Sequence, residues 1–386
     1  MIGVSDAAAA QFRGPQRTLH PKAETADRVV VPTGIPSETT FLTTETKVNA
    51  MNGAGTALSS FSRVGLWSDG KGFVAVAKTG KETAGPMAGA ERQVMGATQA
   101  GDDLVWIETP STDLAFLDWS LRTAKSDGSK TRELAHSQIL KGDARPLTVT
   151  GGTYPVVIGE WVYWAASVAI TADPDPGTAE DWEFNILRTK LSEKSKVETV
   201  ARNAVMPAVA GRDLVYAARQ SETSDSYEIH RMAVSGDGSD EILIRGTVSG
   251  TSDIVDLAAS ESYVAWGVRS PEVGEEGWSR KSLPGQIFAM DLATEEVSTV
   301  VTADEVGSAN LSLTKTGVLW GNGSGNGDPT EYYLNMPTHK LFSLAKNQGH
   351  SAVAGDPAHD TVMWAKGTDA KTHRSLWHVA ELETSS

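Results

Sequence analysis

The sequence predicts an all-β chain built from repeated four-stranded antiparallel sheets. A short apolar run that ends in an aromatic residue recurs every 44 to 58 residues, and turn-forming residues and further short apolar runs flank each copy. This region has no apolar stripe at helical spacing, which argues against helices. The six repeated aromatic residues are Trp106, Trp164, Tyr216, Trp266, Trp320 and Trp364.

Each repeat contains two hairpins. A short apolar strand and a tight turn precede the aromatic strand, and an alternating segment, a second turn and a last apolar run follow it, as in FNILRTKL and then KVETVA. Two of the second turns contain Asp127-Gly128 and Asp237-Gly238, and Asp-Gly pairs tolerate the positive φ of tight hairpins. Each repeat therefore supplies four antiparallel strands in about 50 residues.

Four strands per repeat are typical of the blades of a β-propeller, where the recurring aromatic residue would pack between blades. Residues 39–92 supply one further unit, so we predict seven blades, with six as the alternative. The last unit ends one strand short, and an N-terminal strand near residues 39–47 is expected to complete it and close the ring. The other six units begin near Gln93, Thr153, Val205, Asp253, Ser308 and Ser351.

The chain divides into two regions on this interpretation. Residues 39–386 form a single propeller domain. Residues 1–38 show no strand periodicity and are expected to be a flexible leader or tether.

Two segments resemble a known propeller family. SLRTAKSDGSKTRELA and IHRMAVSGDGSDEILI are similar to the third strand, Asp-Gly turn and fourth strand of TolB-like, PD40-type (WD40-like) propellers, and the resemblance covers about residues 93–380. The Pro-Asp-Gly that usually joins that family's first two strands is missing here. The resemblance implies the fold and, for function, protein recognition in the cell envelope.

Composition excludes several classes of function. With 34 Lys and Arg against 49 Asp and Glu, the formal charge of −15 argues against binding nucleic acid or an anionic membrane. There is no Cys, which excludes disulfides and thiolate chemistry and suits an exported bacterial protein. The chain contains no run of 18 apolar residues, so no membrane span is predicted. An exported protein would therefore take its signal or anchor from outside this chain. A cytoplasmic location is the alternative.

No motif identifies a catalytic site or a cofactor. The chain lacks GxxxxGK[ST], a strand-linked GxGxxG, HExxH and GxSxG. We therefore predict no cofactor, no metal and no named catalytic residue, and leave open whether the protein is an enzyme.

The connections between second and third strands are the best candidates for a binding surface. They are long, acidic and contain Trp, and loops on a rigid scaffold often carry function. The sequence predicts a non-enzymatic propeller that binds a protein or glycan through this face, in the envelope; a carbohydrate-active hydrolase or lyase is the alternative. The predicted binding residues are Asp173, Asp175, Asp181, Trp182, Glu275, Glu276, Trp278 and Asp328.

Overall fold

In the part of the chain that the structure, a computed structural model, describes, the regular elements are all β-strands. The described residues are 16–19, 23–25, 29–30, 39–40, 46–51, 57–61, 72–76, 82–87, 93–109, 118–125, 129–137, 149, 154–175, 178, 181–192, 196–219, 226–234, 239–247, 253–269, 286–300, 308–322, 330–346, 353–355, 357, 360–368 and 375–382.

Within these residues the strands form seven sheets of four or more strands, numbered here in chain order. Sheet 1 comprises Thr46–Met51, Ala57–Phe61, Gly72–Val76 and Glu82–Met87. Sheet 2 comprises Gln93–Ala100, Asp103–Thr109, Ser120–Lys125 and Arg132–His136. Sheet 3 comprises Val156–Ile158, Trp161–Ala169, Trp182–Lys190 and Glu198–Arg202. Sheet 4 comprises Ala204–Ala210, Asp213–Arg219, Ser226–Ala233 and Asp240–Thr247.

The remaining three sheets follow the same order along the chain. Sheet 5 contains Asp253–Ala259, Tyr263–Arg269, Gln286–Asp291 and Val297–Val300. Sheet 6 contains Ser308–Leu313, Gly317–Asn322, Thr330–Asn335 and Lys340–Lys346. Sheet 7 contains Val353–Gly355, Thr361–Thr368 and Ser375–Leu382. Consecutive strands pair antiparallel in every sheet, which confirms the predicted all-β architecture of repeated hairpins.

Short strands near the N-terminus pair with the last strand of sheets 5, 6 and 7. Three segments within the predicted leader thus contribute strands to three sheets, while the boundary at residue 39 stays a prediction. The pairings are Gln16–Leu19 parallel to Val297–Val300, Ala23–Thr25 parallel to Lys340–Lys346, and both Val29–Val30 and Thr39–Thr40 antiparallel to Ser375–Leu382.

The core lies between neighbouring sheets, as the repeated aromatic residues predict. Trp106, Trp164, Trp266 and Trp320 are each 0% exposed. Between sheets 4 and 5, the indole N–H of Trp266 donates to the Tyr227 hydroxyl at 2.8 Å. Because burying an indole N–H without a partner is costly, this bond fixes how the two sheets pack.

The same packing joins the earlier sheets. Trp119, the residue before the third strand of sheet 2, meets Trp164 of sheet 3 edge to face, with ring centroids 5.6 Å apart, a favoured aromatic geometry. Apolar residues of both sheets, including Val105, Leu121 and Leu187, surround this pair. Among the described residues, no helix has the length and apolar character to cross a bilayer.

Candidate binding surface

Hydrogen bonds link the described residues of the connection between the second and third strands of sheet 3, which are 170–175, 178 and 181. The Ile170 amide donates to the Asp181 carbonyl at 2.9 Å and closes the base of the loop. The Asp181 carboxylate accepts the Asp175 amide at 2.8 Å. Thr178 donates to the Asp175 carbonyl and accepts from the Asp181 amide, both at 3.1 Å. We call residues 170–181 the acidic loop.

Trp182 anchors the acidic loop from below. It begins the third strand, opposite Ala169, and is only 4% exposed. Its indole N–H donates to the Asp175 carbonyl at 3.0 Å. The sequence predicted Trp182 as a binding residue, but a ring this deeply buried offers almost no surface to a partner in this conformation; its place is beneath the loop.

Acidic and apolar side chains of the acidic loop are accessible to a partner. Asp173 and Asp175 are exposed, and Asp181 is half-buried because its carboxylate faces the Asp175 amide. Ile170 is 59% exposed and is the large apolar side chain that stands out on the described surface. An apolar side chain beside exposed carboxylates is a common arrangement at protein interfaces.

Sequence reasoning missed Ile170 because it continues the apolar run WVYWAASVAI. That run reads as a buried strand, yet Ile170 lies one residue beyond the strand end at Ala169. The hydrogen bond from its amide to the Asp181 carbonyl continues the pairing of the two strands by one residue, but the Ile170 side chain is exposed there. Only the location of the strand end would have revealed the exposure of this side chain.

Four predicted binding residues lie outside the described residues: Glu275, Glu276, Trp278 and Asp328. Their role in binding stays a prediction.

A second polar feature is a group of ionisable side chains on sheet 4 that sequence reasoning did not find. His230 Nε2 lies 3.1 Å from Glu228 Oε2, and its Nδ1 lies 3.1 Å from Asp240 Oδ2. The Tyr216 hydroxyl donates to the same Asp240 oxygen at 2.8 Å, and Arg245 Nε donates to Glu228 Oε1 at 2.7 Å. The Tyr216 and His230 rings stack, with centroids 5.1 Å apart.

The side chains of this group are bonded to one another. Both imidazole nitrogens of His230 face a carboxylate, so neither is open to a substrate. Burial, with a smaller effect from the bond to Asp240, raises the pKa of the Tyr216 hydroxyl, which therefore stays a neutral donor. The two carboxylates lie on opposite sides of the imidazole ring, and no three His, Asp or Glu side chains among the described residues are arranged to hold a metal ion.

The sequence matches no family model and no curated protein. Among solved structures, the chain is similar to an oligogalacturonate lyase in complex with manganese, with a TM-score of 0.58 and 10% identity over 97% of this chain and 99% of the lyase. It is also similar to a puromycin hydrolase, with a TM-score of 0.54 and 13% identity over 90% of this chain. The match covers 53% of the hydrolase, so this chain spans about half the length of that protein.

A non-enzymatic neighbour has the same coarse architecture. The N-terminal domain of Nup159 matches with a TM-score of 0.50 and 9% identity, over 95% of this chain and all of that domain. At identities this low, the likenesses show the fold alone: a propeller-like arrangement of antiparallel sheets.

Proposed function

We propose that this protein is a non-enzymatic binding propeller that recognises a partner through the acidic loop and its neighbours on the same face. The observation that supports this function is the hydrogen-bonded acidic loop, which presents Ile170 at 59% exposure beside Asp173 and Asp175. A loop already held in its shape loses little conformational entropy on binding, which favours recognition.

The proposal includes a seven-bladed ring. It is supported by contacts between the first strands of successive sheets, from Thr46–Met51 through to Val353–Gly355, which in turn contacts Thr46–Met51. The pairing of Thr39 with Trp377 and of Thr40 with Leu376 supports completion of the last blade by an N-terminal strand. In such a ring, the connections between second and third strands lie together on one face.

The chemistry of the acidic loop favours a partner that combines positive charge with an apolar side chain. A protein segment with Lys or Arg beside an aliphatic residue meets both requirements, and it also suits the chain's net charge of −15. A glycan would interact with the carboxylates through hydroxyls but would leave Ile170 without an apolar partner. We therefore propose a protein partner, and we propose the cell envelope as its location, consistent with the cysteine-free composition.

Catalysis is the weaker interpretation of the described residues. In the ionisable group of sheet 4, Glu228 is bound by His230 and Arg245, while Asp240 is bound by His230 and Tyr216. General acid–base catalysis by a pair of carboxylates needs groups that can reach the substrate, whereas these two carboxylates are already bonded to other side chains.

A peptide array tests the function. The full chain is applied to immobilised peptides that carry Lys or Arg beside Leu or Ile, to the same peptides with Glu in place of the basic residue, and to an oligosaccharide array. We expect selective binding to the basic peptides. Ile170→Ser and Asp173→Asn should each weaken it about fivefold or more, as expected for a contact worth over 1 kcal/mol.

The matched control is Glu261→Gln. Glu261 is an exposed carboxylate in the hairpin between the first two strands of sheet 5, at the opposite end of the strands from second–third connections such as the acidic loop. Its replacement should leave binding unchanged. Equal weakening by Asp173→Asn and Glu261→Gln would mean that overall charge, not the acidic loop, determines binding. Binding to the oligosaccharides alone would refute a protein partner.

A further inference from the structure

A cleft of about 400 Å³ lies between sheets 2 and 3. Three basic and two acidic residues line it, although acidic residues outnumber basic ones in the chain as a whole. A volume of this size is within the range of small-molecule sites, about 300–1,000 Å³. The lining side chains that carry charge are Lys125, Lys130, Arg132, Asp103 and Glu160.

The two carboxylates of the cleft are already paired. Asp103 binds Lys125 at 2.9 Å, and Glu160 binds Lys190, just outside the lining, at 3.0 Å. These pairs neutralise both acidic side chains and one of the three lining cations. The charge left in the cleft is therefore that of Lys130 and Arg132.

Neither of these cations meets a carboxylate among the described residues. Arg132 donates from Nη2 to the backbone carbonyl of Leu191, which fixes the guanidinium across the gap between the two sheets. That carbonyl is neutral, so the positive charge of Arg132 is not compensated. Lys130 is exposed at the end of the hairpin between the third and fourth strands of sheet 2.

We propose that this cleft binds the phosphate group of a small phosphomonoester. A phosphate carries a charge of about −1.5 to −2 at pH 7, which matches the two uncompensated cations. An Arg guanidinium held in place, with an exposed Lys ammonium lining the same cleft, is a common donor set for such a group. The rest of the cleft is large enough for the organic part of the ligand.

The cleft is separate from the proposed binding surface. Lys130, Glu160 and Leu191 lie at or beside first–second and third–fourth hairpins, whereas the acidic loop joins a second strand to a third. In an antiparallel sheet these connections occupy opposite ends of the strands. A ligand in the cleft therefore leaves the acidic loop accessible.

Calorimetric titration of the full chain tests the site. The probes are inorganic phosphate, glycerol 3-phosphate and, as a carboxylate of similar size, glycerate. We expect saturable binding of both phosphates, tighter for glycerol 3-phosphate, with affinity that falls as salt rises because the site is open to solvent.

Two variants locate the binding. Lys130→Asn removes the charge and keeps a residue that tolerates the positive φ of 56° at this position. Arg132→Gln removes the guanidinium. Each should weaken phosphate binding at least about fivefold, as a charge-assisted bond to a partly exposed anion implies. Lys315→Asn, at an exposed turn lysine of sheet 6, is the matched control and should bind as the parent does.

Each outcome decides the proposal. Absence of heat at 10 mM of either phosphate would overturn it, as would equal weakening by Lys315→Asn. Tighter binding of glycerate than of glycerol 3-phosphate would overturn the proposal and would show that the cleft binds a carboxylate instead of a phosphate. If Arg132→Gln lowers the melting temperature, Lys130→Asn alone decides, because it breaks no hydrogen bond among the described residues.

Discussion

Replacing Trp182 tests whether its indole stabilises the fold or contacts a partner. The side chain is 4% exposed and its N–H bonds to the Asp175 carbonyl. Truncating a buried Trp to Ala costs about 3–5 kcal/mol. In Trp182→Phe most of the buried ring surface is kept but the hydrogen bond is lost, so we expect a cost of about 1–2 kcal/mol.

Urea denaturation followed by circular dichroism measures these costs. Trp161→Ala is the matched control, since Trp161 lies in the same sheet, is half-buried, and is covered by the Arg188 guanidinium 4.2 Å from its ring centroid. Losing that cation–π contact should cost about 1 kcal/mol. The loss of buried apolar surface adds a further cost, which is smaller than at Trp182 because Trp161 buries less area. If Trp182→Ala unfolds at the same urea concentration as Trp161→Ala, Trp182 is not a core residue and the acidic loop has another anchor.

Three further predictions concern the packing between and within sheets. Tyr227→Phe should lower the free energy of unfolding by about 1 kcal/mol in urea titrations, because the buried hydrogen bond from the Trp266 indole N–H to the Tyr227 hydroxyl would be lost. Gly317→Ala should cost about 1–3 kcal/mol in the same assay, since an added Cβ would lie 2.3 Å from the Tyr333 ring and 2.4 Å from the Leu334 carbonyl oxygen; an unchanged midpoint would refute this clash. Burial is the largest cause that raises the pKa of four tyrosines in the folded chain. As the pH rises, these tyrosines therefore ionise in the unfolded chain at a lower pH than in the folded chain. Stability should therefore fall as pH rises above about 10, measured by thermal melts, and a flat profile up to pH 11.5 would contradict it. These tyrosines are Tyr163, Tyr216, Tyr227 and Tyr333.

The repeat could be predicted from the sequence because its signal is local. An aromatic residue two positions after an apolar one, between two turns, marks the second strand of a sheet, and Trp106, Trp164, Trp266 and Trp320 are all fully buried as expected. Strand starts at Gln93, Asp253 and Ser308 also agree with the predicted units.

The sites could not be predicted in the same way because they depend on which strands face each other. His230 meets Glu228 two residues away, but it meets Asp240 only because the third and fourth strands of sheet 4 pair with a register shift between Ile229 and His230. Likewise, Arg132 reaches Leu191 across two sheets, 59 residues apart in the chain. No spacing rule within one sequence encodes either contact.

The N-terminal strands impose a waiting time during synthesis. Gln16–Leu19 leaves the ribosome before its partner Val297–Val300, which emerges about 280 residues later, and the partner of Val29–Val30 emerges later still. At 5–20 residues per second, these early segments remain without their partners for on the order of half a minute. Their pairing with the last strands of sheets 5, 6 and 7 is therefore a late event in folding, and a ribosome that stalls before residue 297 leaves exposed strand edges that invite aggregation.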